Sequence, residues 1–360
     1  MRDSYLTAGI RLDQLFRLLK RNKLSFTSKN IFRLAFLIQS AGWSSFFSWV
    51  EKARYSKALH NAPVPDDPIF IIGHWRTGST LLHQLMSLDP QLSAPTLFQV
   101  AVPDSFLVSH PYYRPIFKQV ISEHRPMDQV KIGMDEPQED EYAIYRLTSY
   151  SPLENLVFAK SGAYFLNHGT PFLPSGDKLE EWKNEVKAFY RKLHFKTKKR
   201  IISKNPFNSY RIKTLCEMFP RSKFIHIVRH PDDVIPSTIY MWDIVQQQNR
   251  LNFPVNRPDF NETVGVLESL LTAIETDRNQ LQPGHFVEIR FEDLEKNPVD
   301  VLKKIYQLLD LQFTEKFEAN INGFLRETIN FRKNEFSLTP GEKSYIREKL
   351  ILHMKNHEYQ

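Results

Sequence analysis

The sequence predicts an α/β chain built on a parallel sheet with helices on its faces, and three features carry that prediction. Short apolar runs ("IFII", "RIISK", "KFIHIV" and "HFVEIRF") alternate with longer stretches of helical periodicity. The first run, Ile69 to Ile72, stops at a glycine-bearing turn, and a leucine-rich helical stretch follows it. A later run, Lys223 to Val228, repeats the layout and ends on Arg229. Strand, turn and helix in that order make a P-loop-like arrangement, in which ligands collect at the carboxyl ends of the strands.

Taken in chain order, residues 1–60 read as a helical, amphipathic N-terminal extension, and residues 61–360 as a single α/β domain with helical insertions. Inside the extension, "IFRLAFLIQSAGWSSFFSWV" (31–50) is interrupted by Arg33, Gln39 and its serines, so it is not a bilayer span. Two readings stay open for it. It is a helix packed on the domain, or it makes a peripheral membrane contact, since its Phe and Trp residues are flanked by Lys20, Arg21, Lys23, Lys52 and Arg54. "NAPVPDDP" (61–68) is a proline-rich break that leads into the first strand. In the helix after the first turn, Leu81, Leu82, Leu85 and Leu88 recur at helical spacing and are expected against the sheet. The middle, 112–200, is rich in proline, aromatics and charge and is expected to place helices and loops over the ligand-binding edge. Its terminal "KTKKR" reads as a solvated face before the next strand.

Composition narrows the function classes. Lys and Arg number 48 against 41 Asp and Glu, a balance of +7 that favours anionic ligands without naming one. The 27 phenylalanines point to broad apolar packing or an apolar pocket. One cysteine, Cys216, excludes an intrachain disulfide and a multi-cysteine zinc site, and fits a reducing compartment. "MRDSYLTAGIRLDQLFRLLKRNK" lacks the apolar core of a signal peptide. The expected location is cytoplasmic, with membrane association open through residues 31–50; no feature sets an oligomeric state.

The turn after the first run carries the chemistry. An ATP-type loop, G-x-x-x-x-G-K-[ST], holds phosphates on backbone N–H groups, reaches the β/γ-phosphates with its lysine and binds magnesium with its last hydroxyl. Gly73 and Gly78 have that spacing, but Ser79 stands at the lysine position and Thr80 follows. The group dedicated to a γ-phosphate is therefore missing. Arg76 still supplies charge, and Thr77, Ser79 and Thr80 supply hydroxyls at the start of a helix whose dipole favours an anion. The expected ligand is a phosphate compound without a triphosphate, held without a metal.

At the second strand end, Arg229 precedes a helix start at Pro231–Asp233, and Ser237 lies eight residues after it. An ion pair with Asp232 or Asp233 is one role for Arg229; a second phosphate site is the other. Together, "PIFIIGHWRTGSTLL" and "KFIHIVRHPDDVIPS" resemble the sulfotransferases that use 3′-phosphoadenosine 5′-phosphosulfate (PAPS), over about residues 68–336 and closest to their broad prokaryotic-type branch. The resemblance implies that the first loop holds the 5′-phosphosulfate and that Arg229 and Ser237 hold the 3′-phosphate. It implies Lys204, in "IISKNPFNSYRIKTLCEMFP", beside the sulfuryl group, and "EIRFEDLEKNPVDVLKKIYQLL" flanking the nucleotide. "NFRKNEFSL" resembles the basic loop that closes over it, making Arg332 and Lys333 candidate phosphate contacts.

Sulfuryl transfer requires charge neutralisation and loss of the acceptor's proton. Arg76 and Lys204 are the candidates for the first task. For the second, the sequence departs from relatives that place a histidine two residues after the strand-end lysine, since Pro206 stands there. It also departs from those with a glutamate soon after the first helix, since "SAPTLFQV" offers Gln99. Carboxylates crowd in "MDEPQEDEYAIY", and crowding disfavours having all of them charged. Glu139 is the first candidate base because relatives carry a "PQEDE"-like stretch, and Glu141 is the second. An acidic helix start that binds nothing is the plain alternative. His74, in the loop, and His124, in "SEHRPMD", are further candidates.

The leading expectation is a PAPS-dependent sulfotransferase acting on the hydroxyl of a small-molecule acceptor, an apolar alcohol such as a sterol or lipid, with no nucleic acid partner. The alternatives are a nucleotide or small-molecule kinase and a non-enzymatic basic protein that binds anions or a membrane surface.

Overall fold

Prolines 63, 65 and 68 separate the long N-terminal helix from β1 (Ile69–Ile72), whose four residues are all buried. The computed structural model describes residues 6–22, 28–120, 133–158, 173–251, 258–327, 334 and 336–359. β1 is joined by β2 (Leu92–Ser93), β3 (Arg200–Lys204), β4 (Lys223–Val228) and β5 (Phe286–Arg290) in the order β2-β3-β1-β4-β5. Every pairing is parallel. Central parallel strands are covered on both faces, which is why β1, β3 and β4 read as near-continuous apolar runs. Ile69 and Ile71 share a core with Leu82, Leu85, Ile225 and Ile289. Phe70 instead stacks on Phe224, with ring centroids 5.4 Å apart. The four expected strands are all present, and β2 is the one that the sequence pattern did not reveal.

The chain divides into two compact units. One comprises Pro65–Ala94, Lys199–Met241 and Pro258–Gln360 and contains the whole sheet. Here α3 (Ser79–Ser87) follows β1, with Leu82 and Leu85 fully buried and Leu81 and Leu88 packed against the same core, as their spacing predicts. From β1 the chain proceeds to β2 and β3 on one side of the sheet, whereas from β4 it proceeds to β5 on the other. Connections leaving adjacent strands in opposite directions open a crevice at the carboxyl ends of β1 and β4. The Gly73 loop leaves one of those ends and Arg229 leaves the other.

The other unit comprises Met1–Val64, Pro95–Lys198 and Trp242–Arg257 and is helical. It contains α1 (Leu12–Arg21) and α2 (Ser28–Asn61), so residues 31–50 are helical. Ion pairs onto buried carboxylates tie it together: Arg21 pairs with Glu154 at 2.6 Å, and Lys192 pairs with Glu51. Among the described residues, no helix is long and apolar enough to cross a membrane.

Candidate functional site

The loop between β1 and α3 is shaped by two glycines whose side chains have no room. Gly73 has φ 133°, and a Cβ there would lie 2.6 Å from the Ile227 carbonyl oxygen. Gly78 has φ 87°, and a Cβ there would lie 2.0 Å from Cδ2 of Phe291. Both therefore require glycine, for backbone conformation and for space. The Gly73 amide donates to Ser209 Oγ at 3.0 Å, which anchors the start of the loop. Thr77 Oγ1 donates to the His74 carbonyl at 2.8 Å, so that hydroxyl proton closes the loop on itself. Ser79 is the first residue of α3, and no side chain among the described residues caps that helix. The leading amides of a helix lack intrahelical partners, so this end is suited to accept an anion.

Arg76 lies at the loop's apex with φ 67°, a left-handed conformation that costs a side-chain-bearing residue about 1–2 kcal/mol. It is held there from both ends. Its Nε donates to Ser237 Oγ at 2.9 Å, and its carbonyl accepts from Arg229 Nη1 at 3.3 Å. The two cationic strand ends therefore meet directly. Arg229 also pairs with Asp233 at 3.0 Å, so its candidate structural role is present too; that carboxylate is largely exposed, which makes the pair a weak competitor for a phosphate. The Arg229 guanidinium stacks over the Phe291 ring at 4.7 Å.

Lys204 ends β3 beside Ile71 of β1 and is 4% exposed. His83 is buried, and burial followed by the charge of Lys204 lowers its pKa to about 3. His74 is buried as well; its Nδ1 lies 2.9 Å from the Trp75 carbonyl, and its Nε2 has no hydrogen-bond partner among the described residues. Burial lowers the pKa of His74 to about 4, so the imidazole is neutral near pH 7 and is a weak base.

The sheet unit thus brings together Gly73, His74, Arg76, Thr77, Gly78, Ser79, Thr80, Lys204, Arg229 and Ser237 on the strand-end side of one sheet. The candidate carboxylates belong to the helical unit. Asp140 accepts from the Tyr190 hydroxyl at 2.6 Å, and Glu141, fully buried in the first turn of the helix Glu141–Thr148, accepts from Ser151 Oγ at 2.6 Å. Glu139 is half-buried, and its amide donates to Gln138 Oε1 at 3.0 Å. Gln99 closes a capping box with Thr96, which gives it a structural role. Arg332, Lys333 and His124 lie outside the described residues.

Sequence reasoning missed three residues. Phe291 supports both Gly78 and Arg229, Ser209 anchors Gly73, and His83 sits near Lys204. Phe291 stood within a segment already matched to the nucleotide-flanking helix, but its double contact has no sequence signature.

Comparisons with known proteins agree on one family. A model described as Sulfotransferase family matches residues 68–315. Omega-hydroxy-beta-dihydromenaquinone-9 sulfotransferase Stf3, from Mycobacterium bovis and from Mycobacterium tuberculosis, is 30% identical over 344 residues, covering 95% of this chain and 88% of the relative. The crystal structure of sulfotransferase STF9 from Mycobacterium avium superposes with a TM-score of 0.69 at 16% identity, over 99% of this chain and 92% of that one. For sulfotransferase STF1 from Mycobacterium tuberculosis the TM-score is 0.58 at 13% identity, over 94% and 90%. At those identities the solved structures establish the fold.

Proposed function

The chain belongs to the sulfotransferase family, and on that premise we propose that it transfers the sulfuryl group of PAPS to the hydroxyl of a lipid alcohol. The observation that carries the donor side is the junction of Arg76 with Ser237 and Arg229. PAPS presents a phosphosulfate and a separate 3′-phosphate, and this junction joins a glycine-loop anion cradle to a second cationic strand end. Ser79 at the lysine position removes the group that a triphosphate needs.

In this reading the α3 amides, Ser79 and Thr80 hold the 5′-phosphosulfate, with Gly73 and Gly78 keeping the backbone close. Thr77 maintains the loop through its bond to His74. Arg229 and Ser237 hold the 3′-phosphate, with Arg332 and Lys333 as further contacts. Arg76 and Lys204 neutralise charge as the bond between sulfur and the phosphate oxygen breaks. The acceptor oxygen bonds to sulfur, 3′-phosphoadenosine 5′-phosphate (PAP) departs, and the acceptor proton passes to the Glu139 carboxylate. Glu139 is preferred to Glu141 because Glu141 is fully buried and already accepts from Ser151. His74 is disfavoured as the base by its depressed pKa.

The lipid alcohol rests on the relative named for a hydroxylated menaquinone and on the chain's wealth of phenylalanine. The tests separate donor from base. PAP is expected to raise the melting temperature, and ATP with magnesium is not; stabilisation by ATP–magnesium alone refutes the donor. Glu139→Gln is expected to keep PAP affinity while slowing transfer from labelled PAPS to a dispersed lipid alcohol. Full activity in that variant moves the base to Glu141.

A further inference from the structure

The amphipathic sense of α2 is inverted. Its buried side carries Asn30, Arg33, Ser44, Ser48 and Glu51 beside Leu37, Ala41 and Phe47. Three of those polar groups, Asn30, Arg33 and Glu51, are engaged within the helical unit. Asn30 Nδ2 donates to the Leu251 carbonyl at 2.9 Å, and Arg33 donates to the carbonyls of Arg250 and Gln248 at 2.6 and 3.2 Å. Glu51 pairs with Lys192 and accepts from the Leu107 amide at 2.8 Å.

The outward side is apolar. Phe32 is 78% exposed, Trp43 55%, Phe46 49% and Trp49 67%, with Phe36 and Ile38 also exposed. Phe32, Phe36, Trp43 and Phe46 recur at helical spacing along one side, with the exposed Gln39 among them and Trp49 and Ile38 about a third of a turn to one side. The Leu12 amide donates to Ser45 Oγ, which places the exposed Leu12 of α1 beside it. No acidic residue occurs between Ile31 and Val50, and the helix continues into exposed Lys52, Arg54 and Lys57. A helix that turns Arg33 and Glu51 inward and its tryptophans outward is not arranged for water along that stretch of its outer side.

We propose that this face docks on an anionic membrane surface, with the aromatic row in the acyl–headgroup boundary and Lys52, Arg54 and Lys57 against anionic headgroups. Charge decides the occupant. An interfacial helix combines a Trp- and Phe-rich apolar face with flanking cations, and this row is free of acids and ends in three cations. The docking extends the lipid-alcohol reading, because an acceptor dissolved in a bilayer must be met at its surface.

The test is co-sedimentation of the full chain with phosphatidylcholine vesicles, with and without about one-third phosphatidylglycerol. Wild type is expected to pellet with the anionic vesicles and to bind about tenfold more weakly to phosphatidylcholine alone. The combined variant Trp43→Gln, Phe46→Gln and Trp49→Gln is expected to lose at least about tenfold in anionic-vesicle affinity while melting as wild type does. Lys52→Glu, Arg54→Glu and Lys57→Glu together, an independent check should the first variant misfold, are expected to abolish the preference for anionic vesicles. Failure of wild type to bind either vesicle overturns the proposal, as does undiminished binding by the aromatic variant. A wild-type dimer that the aromatic variant converts to monomer also overturns it and assigns the face to a second copy. Activity on a lipid alcohol in detergent micelles separates the two readings: vesicle binding without any such activity supports docking and refutes the acceptor.

Discussion

Gly78→Ala probes the support beneath the anion loop. Gly78 sits at φ 87°, where an alanine costs about 1–2 kcal/mol in backbone strain. The added Cβ would lie 2.0 Å from Cδ2 and 2.5 Å from Cε2 of Phe291, well inside contact distance. That ring is 6% exposed and packed in the sheet core, so it cannot swing aside. Overpacking of this kind adds about 1–3 kcal/mol, giving a loss of about 2–5 kcal/mol in all. Because the Arg229 guanidinium stacks on the same ring at 4.7 Å, displacing the ring is expected to weaken PAP binding as well. The assay is a double-mutant cycle with Phe291→Leu, read by urea denaturation and by PAP calorimetry. In the Phe291→Leu background the overlap is relieved and only the backbone strain persists, so a favourable coupling of about 1–3 kcal/mol is expected. Two penalties that simply add refute the view that the ring sets the loop; so does a single variant within about 0.5 kcal/mol of wild type.

The remaining predictions concern anchoring, charge and protonation. Ser209→Ala leaves the buried Gly73 amide without its 3.0 Å partner and is expected to cost about 1–3 kcal/mol by urea denaturation. Arg229→Ala is expected to weaken PAP by about 1.5–3 kcal/mol, or about ten- to a hundredfold, in calorimetry; unchanged affinity assigns Arg229 to its pair with Asp233. His74 and His83 are held neutral by burial, with pKa values lowered from 6.5 to about 4 and about 3. The unfolded chain binds a proton at each below pH 6.5 and the folded chain does not, so their stabilisation is complete above pH 6.5 and declines as pH falls towards those values. Each is expected to remove about 2 kcal/mol between pH 7 and pH 5, and His83→Asn should flatten the decline measured by urea denaturation.

What was legible in the sequence was what repeats locally. β1, β3 and β4 are near-continuous apolar runs because their neighbours cover both faces, and β5, at the edge, shows the alternation of a half-buried strand, so local pattern revealed all four. β2 has two residues, too few to show any pattern. The Gly73–Thr80 loop was legible because its backbone geometry and hydroxyls lie within one stretch of chain. Contacts made across the sheet were not: Ser209 with Gly73, and Phe291 with Gly78, join residues far apart in sequence through packing. The outward face of α2 was equally hidden. Its sequence mixes Phe and Trp with Asn30, Arg33 and Glu51, and only tertiary hydrogen bonds decide which set turns inward.

The missing lysine takes its sense from the same long-range contacts. An ATP-type loop carries its cation on the first turn of the helix, aimed at the far end of a triphosphate. Here that place holds Ser79, and the cation comes from Arg76 at the loop's apex, in a backbone conformation that persists only when its surroundings hold it. The holders are Ser237 and Arg229, the residues proposed for a second phosphate. Ser237 accepts from Arg76 through an oxygen lone pair, which leaves its own proton to donate to an anion. With the proposed phosphate in place, Arg76 to Ser237 to phosphate would be a chain in which each hydrogen bond polarises the next. A ligand with only one anionic group engages half of that arrangement. On the proposed donor assignment, a ligand with a phosphosulfate at one end and a phosphate at the other engages all of it, which would place the loop's selectivity in its link to the neighbouring strand as much as in its own residues.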